Sequence, residues 1–399
     1  MPAGQPDRKT CIAHDDEEAP INRHAHEDEQ SASGSPSDCI IVGASFAGLA
    51  CATVLARAGL RVKVVEKKVD VGEKLHTTGI IVKDAVDQIA LLDALPPELI
   101  HRVDGVRLYA PNLRSVDLSA PGYYFLTTDT PNLMRWLAGQ AEQAGVELVC
   151  GATFRNARRE QSGFDLGELG RCRYLVGADG PRSRVARALG LGLNRQHLFG
   201  VEHEYRQTRI GAPNMLHCFV SRRFARGYIG WVASGPKSVQ VGLARRVRGQ
   251  PPPPRQAMAT FLERIAPIFD FRDIEPASVR AGMIPCGGLV DKLATRRALL
   301  VGDAAGMVSP VTAGGIHTAL KHGMAAGHAI ADYLSGKRED PCGWFIDSYP
   351  RFRLKRLLRF AFDRFQSDIA FNLMLSTRLM RSAAGLVYFH HKGVFDSKP

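Results

Sequence analysis

The spacing of apolar positions changes several times along this chain, and each change predicts an element. Ile40-Ile41-Val42 is a short β-branched run, the pattern of a strand buried on both faces of a parallel sheet. Gly43 interrupts it. Residues 49–58 then read as a helix closed by Gly59, and residues 61–66 as a second strand, giving a βαβ unit that ends on an acidic residue. Further on, residues 82–92 read as a helix, with 103–108 and 116–118 as strands around Pro111-Asn112. Thr130 is placed as the N-cap of a helix with Pro131 at its first position. Leu133, Trp136, Leu137 and Ala141 share its inner face, and Gly145 ends it. Strands follow at 146–149, 164–166 and 173–176. Residues 197–247 read as β-rich, most clearly as a hairpin of 227–232 and 239–243 around Gly235-Pro236-Lys237. Beyond a stiff proline segment at 249–254, residues 258–269 form an amphipathic helix. Residues 298–301 are another buried strand, and Gly314-Gly315-Ile316 opens a helix that runs through Ala331.

This alternation predicts an α/β (α+β) architecture: a Rossmann-like dinucleotide-binding domain with an inserted β-sheet substrate domain and a helical C-terminal region. The expected boundaries are 38–338 for the dinucleotide domain, discontinuous over about 38–110, 146–190 and 280–338. The β-rich insertion covers about 191–279, and basic amphipathic helices cover 339–399. Residues 1–37 carry eight acidic and three basic side chains and no apolar run, so they are expected to be a disordered acidic tail rather than a secretory signal.

Composition narrows the function classes. With 399 residues, 45% of them hydrophobic, the chain can bury a large core. Its formal charge of +12 favours anionic small molecules or acidic lipid, and no nucleic-acid motif is present, so no nucleic-acid partner is expected. Eight scattered cysteines with no Cys-x-x-Cys pair suggest no metal site and a reducing, cytoplasmic setting. No apolar run is long enough to span a membrane. In the C-terminal segment, Arg351, Arg353, Lys355, Arg356, Arg359 and Arg364 are interleaved with Phe352, Leu354, Leu357, Leu358, Phe360, Phe362 and Phe365. Two readings stay open: a helix packed on the dinucleotide domain with a solvated basic face, or peripheral contact with an acidic membrane surface.

The candidate chemistry lies in three glycine-bearing turns. Gly43-Ala44-Ser45-Phe46-Ala47-Gly48, with Glu66 18 residues past Gly48, would aim helix N–H groups at a pyrophosphate and a carboxylate at ribose hydroxyls. Ser45 stands where the middle glycine of such a turn is usual, and its hydroxyl can donate to phosphate. The second turn is Gly177-Ala178-Asp179-Gly180-Pro181-Arg182-Ser183, with Asp179 or Ser183 as a helix cap. The third is Gly302-Asp303-Ala304-Ala305-Gly306, followed by Pro310 and Gly314-Gly315-Ile316-His317.

Together these motifs resemble the FAD-dependent oxidoreductases of the para-hydroxybenzoate-hydroxylase-like fold, and within them the geranylgeranyl reductase branch, over roughly residues 38–335. The resemblance implies that Gly43, Ser45, Phe46, Ala47 and Gly48 lie against the FAD pyrophosphate, with Glu66 and Lys67 near the adenosine. It implies that Asp179 sits near the pyrophosphate and an incoming nicotinamide cofactor, and that Gly302 and Asp303 meet the ribityl chain. Gly314, Gly315 and Ile316 would present N–H groups to the flavin N1–C2 carbonyl edge. Three departures matter: Asp129-Thr130-Pro131 offers no arginine where family members often carry one that contacts FAD, the loop Lys74-Leu75-His76-Thr77-Thr78-Gly79 lacks the cysteine common in isoprenoid reductases, and Gly306 replaces a histidine common in aromatic hydroxylases. His76, Thr78 and His317 are therefore the candidate catalytic groups, and Tyr228 and Trp231 the candidate substrate contacts. The implied activity is reduction of C=C bonds in a small hydrophobic, isoprenoid-like substrate, with NAD(P)H or another carrier as electron donor. The alternatives are a flavin monooxygenase acting on an aromatic or secondary-metabolite substrate, and a non-catalytic, membrane-associated flavin binder.

Overall fold

The computed structural model describes residues 36–75, 77–247, 253–375 and 377–389. Residues 1–35 of the predicted acidic tail and His76 lie outside these residues; the last residue assigned to that tail, Ser37, already begins the first strand. β1 (Ser37–Val42) pairs in parallel with Arg171–Gly177 on one side and with β2 (Val62–Glu66) on the other. The parallel order continues outward to Ala298–Leu300 and Glu147–Cys150. Ile40, Ile41, Val64, Leu175 and Leu299 fill its centre, buried on both faces, as their unbroken apolar runs require.

Nine helices are described: α1 (Phe46–Arg57), α2 (Lys83–Gln88), α3 (Thr130–Gln143), α4 (Arg184–Ala188), α5 (Pro254–Ile265), α6 (Ile316–Leu334), α7 (Arg353–Phe365), α8 (Asp368–Met374) and α9 (Arg378–Phe389). α1 begins at Ser45, whose Oγ accepts from Gly48 N at 3.2 Å. It crosses α6 at a glycine seam. A Cβ on Gly323 would stand 2.4 Å from Ala47 O, and one on Gly327 2.8 Å from Val54 Cβ, so only glycine admits this approach. α3 is capped by Asp129, whose Oδ1 accepts from Asn132 N. Thr130, expected to be the cap, is already the first helical residue, and its Oγ1 donates to Thr78 O at 3.0 Å.

The second sheet runs Ser278–Pro285, His197–Arg206, Ser238–Arg246, Gly230–Ser234, Met215–Phe219, Gly105–Tyr109, Ser115–Leu118. Two corrections follow. The single strand expected at 103–108 is two, Ile100–Val103 and Gly105–Tyr109, in different sheets. The break is at Asp104, whose N–H donates to Asn214 O at 2.8 Å and whose carboxylate accepts from Arg102. The β-rich part therefore does not begin at 191. It takes in Gly105–Tyr109, placed in the first domain from sequence, together with Ser115–Leu118, and has Ser278–Pro285 as its edge. The helix expected over 82–92 is also shorter, ending at Gln88 with a 3-10 turn at Ala90–Leu92. A small third sheet, Ile81–Val82, Phe125–Thr128 and Ile100–Val103, lies between in sequence. Among the described residues no helix is long and apolar enough to cross a membrane.

Candidate functional site

The three turns converge through backbone contacts. Gly43 has φ +107°, and a Cβ there would lie 2.4 Å from Ala178 O and 3.0 Å from Asp179 Cα, so the first and second turns touch. A Cβ on Gly302 would meet Ala47 Cβ at 3.0 Å, which brings the third turn to the start of α1. Glu66, buried at the end of β2, accepts from Ala44 N at 2.9 Å and from Lys68 N at 3.1 Å. It holds the first turn and the exit of its own strand in one geometry, while Lys67 beside it is exposed. The α1 amides at Phe46 and Ala47 stand in the first turn, where a helix has no internal acceptor for them. Ser45 uses a lone pair of its hydroxyl as the cap, not its proton.

The carboxylate of Asp179 is occupied by the chain itself. It accepts from Ser183 Oγ at 2.6 Å, Arg184 N at 2.6 Å and Val185 N at 3.2 Å, while Ser183 caps α4 through Ala186 N. Its side chain thus fixes the second turn, and its backbone is what faces Gly43.

Asp303 is different. It sits in the 3-10 turn Gly302–Ala305, half-buried, and its carboxylate accepts no hydrogen bond among the described residues. Burial pushes it up to about 6. A Cβ on Gly315 would lie 3.7 Å from Asp303 Oδ1, so the carboxylate stands beside the first residues of α6. Gly315 is the N-cap of α6, preceded by the exposed Gly314 and followed by buried Ile316 and half-buried His317. The loop before it is tied by Gly314 O to Ser309 N at 3.1 Å and by Thr318 Oγ1 to Met307 O at 2.9 Å.

Tyr228, in the turn that leads into Gly230–Ser234 of the second sheet, donates its hydroxyl proton to Thr312 O in this same loop. Trp231 is buried in the sheet; its indole covers Gly242, where a Cβ would lie 2.3 Å from the ring, and its Nε1 donates to Glu202 Oε2 at 3.0 Å. This leads to a cluster that sequence reasoning missed. Arg280 reaches Glu204 Oε2 at 2.8 Å and Glu202 Oε1 at 3.5 Å, and donates to Thr77 O at 3.4 Å. Glu204 also accepts from Ser238 Oγ at 2.6 Å and Ser278 Oγ at 2.8 Å. Burial works against its charge, but Ser238 and Arg280 outweigh it and hold its carboxyl below the ordinary range. Burial pushes the Glu202 carboxyl up, with Arg280, the Thr78 side chain and Trp231 only partly offsetting it. One guanidinium thus faces two carboxyls, of which Glu202 is the one suited to hold a proton. A signal existed: Glu202 and Glu204 are two apart on one strand, hence on one face. What the sequence lacked was the register that sets Glu202 opposite Arg280.

Comparisons with known proteins agree with this geometry. A family model described as "FAD binding domain" matches residues 37–360. The digeranylgeranylglycerophospholipid reductase 2 of Methanopyrus kandleri is 28% identical, covering 78% of this chain and 81% of its own. The digeranylgeranylglycerophospholipid reductase 3 of Methanosphaera stadtmanae is 25% identical, covering 80% and 85%. Among solved structures, a geranylgeranyl bacteriochlorophyll reductase-like protein from Thermoplasma acidophilum superposes with TM-score 0.76 at 16% identity, covering 88% of this chain and 96% of its own. A myxobacterial chondrochloren halogenase, a variant of FAD-dependent halogenases, reaches 0.67 at 16% identity, covering 90% and 91%. These two share the fold. The residues present fit the dinucleotide: free first-turn amides for the pyrophosphate, a fixed buried carboxylate at the end of β2, and an unpartnered carboxylate on the third turn. With three turns gathered at one place and a family model spanning most of the sequence, the chain belongs to the FAD-binding-domain family and binds FAD.

Proposed function

We propose that this FAD-dependent oxidoreductase reduces C=C bonds of a hydrophobic, isoprenoid-like lipid, the substrate class printed in the names of its archaeal relatives. The structural observation that carries the reading is Glu202: a buried carboxyl suited to be protonated, in contact with the Thr78 side chain. When bound, FAD supplies the two-electron hydride transfer, and each alkene reduced also consumes one proton. A threonine hydroxyl is too weak an acid to provide that proton alone. In this reading Thr78 hands a proton to the substrate and is reloaded by Glu202; Arg280 and the ionised Glu204 make a neutral cluster with protonated Glu202, and Arg280 faces the negative charge that appears when Glu202 gives its proton up. Gly314, Gly315 and Ile316 at the start of α6 would stabilise negative charge at the flavin edge through their N–H groups and the helix dipole. Asp303 holds a ribityl hydroxyl, and Tyr228 braces the 309–315 loop. The reductant is NAD(P)H or a protein carrier.

The test is anaerobic. The holoprotein is reduced, then mixed with polyprenyl lipids or with aromatic compounds, and flavin reoxidation is followed. Reoxidation by the polyprenyl lipid with a saturated product is expected, slowed roughly a hundredfold in Glu202→Gln at unchanged flavin content. Reoxidation only with oxygen, giving a hydroxylated product, would replace this reading with monooxygenation.

A further inference from the structure

α7 is packed inside out. Its inward face is polar. Arg359 and Asp363 form a buried pair at 3.2 Å, and Asp363 also meets Arg246 at 3.2 Å. Just past the helix, Gln366 Oε1 accepts from Gly227 N at 2.6 Å. Asp368, at the start of α8, accepts from Ser221 Oγ at 3.0 Å and Arg222 N at 2.6 Å, and Asn372 Oδ1 from Asn112 N at 2.8 Å. The outward side carries large exposed apolar side chains, with Arg353 and Arg364 interleaved among those of α7: Leu357 is 64% exposed, Phe360 66%, Phe365 73%, Ile369 72% and Leu373 72%. Helices of soluble chains turn their apolar stripe to the core, and a contiguous apolar patch left outside marks a surface built for another phase or partner.

Charge selects the occupant. Arg353, Arg356 and Arg364 are exposed on the same helix, while the acids of α7 and α8, Asp363 and Asp368, turn inward into hydrogen bonds and ion pairs. The surface presents apolar side chains interleaved with cations, its anions withdrawn, which complements the headgroup region of an anionic bilayer. α7 is too short to span one.

We propose that α7 and α8 form a docking face that seats the protein on an anionic membrane surface, with Leu357, Phe360, Phe365, Ile369 and Leu373 entering the headgroup–acyl boundary. The face lies next to the substrate sheet. α7 is bonded to Gly227, which precedes Tyr228, and α8 to Asn112, so docking would present that sheet to a lipid substrate. The proposal concerns where the protein sits and does not depend on which bond is reduced.

The experiment is co-sedimentation of the full-length holoprotein with phosphatidylcholine vesicles, with and without phosphatidylglycerol. Binding to the anionic vesicles is expected, weakened by added salt. Phe360→Ser/Phe365→Ser and, separately, Arg353→Gln/Arg364→Gln are each expected to lower it by roughly tenfold or more. Both pairs are solvent-facing, so flavin absorbance and reoxidation by detergent-dispersed substrate should stay at the wild-type level; this separates a failure of docking from a failure of the proposed reaction. Vesicle binding that ignores both pairs overturns the proposal. So does a wild-type protein that stays off vesicles and instead forms dimers abolished by Phe360→Ser/Phe365→Ser, since the face would then belong to a second copy of the chain.

Discussion

Helix α6 sets Ile316, Ala319, Leu320 and Ala326 inward and closes on α1 through Gly323 and Gly327. Helix α7 sets Arg359 and Asp363 inward and leaves Leu357, Phe360 and Phe365 in solvent. Both are amphipathic, and their neighbours decide which face is used. α1 offers α6 a smooth run of small side chains and bare backbone. The strand ends of the second sheet offer α7 Arg246 and the N–H of Gly227, which only polar groups can satisfy. A helix is thus oriented by what its neighbour leaves unpaired as much as by its own apolar stripe.

The sharpest way to break the contrast is at the seam. Gly323→Ala puts a methyl 2.4 Å from Ala47 O, so α6 must withdraw from the start of α1. A loss of about 3 kcal/mol of stability is expected, with flavin lost in parallel. Urea denaturation together with the flavin-to-protein absorbance ratio checks it, and wild-type values in both would refute the seam. On α7, Arg359→Ala removes one of the cations paired with the buried Asp363, beside Arg246. About 2 kcal/mol of destabilisation is expected, without flavin loss in the folded fraction.

At the α6 start the sign reverses. Asp303 is an acid whose folded pKa is raised to about 6, so the flavin-free folded chain holds its proton more tightly than the unfolded chain does. That contribution is complete below the ordinary carboxylate range and is lost as pH rises through about 6, on the order of 2 kcal/mol after allowance for partial solvation. Asp303→Asn should therefore stabilise the flavin-free protein at pH 7, flatten its stability between pH 4 and 6.5, and still bind FAD at least tenfold more weakly. Thermal melts across that pH range and a flavin titration test the two halves separately. The smallest effect belongs to the outward face of α7: Leu357→Ser should change stability by no more than about 0.5 kcal/mol. A larger loss by denaturation would mean that this side chain is not free in solvent.

What could be seen in advance follows the same physics. The three turns were legible because a positive φ or a backbone approach closer than a methyl admits glycine alone, and Gly43 and Gly302 announce this locally. The segment 100–118 was misassigned because strand membership depends on a distant partner: Gly105–Tyr109 is a strand of the second sheet only because Met215–Phe219 lies beside it. The cap of α3 slipped by one residue because Asp129 and Thr130 are both good caps, and Thr130 Oγ1 was drawn off by Thr78 O. Glu202 was invisible for want of a register. The periodicity of α7 declared two faces without saying which one turns inward.

The meeting of Ala47 with Gly323 has a temporal consequence. A nascent chain exposes β1, α1 and β2 on the ribosome long before α6 is made, so that α1 lacks the cover this helix finally gives it. Loading of the prosthetic group is therefore a late, nearly post-translational event. A chain interrupted anywhere before residue 316 would carry the whole of the first glycine turn and still leave the ribosome colourless.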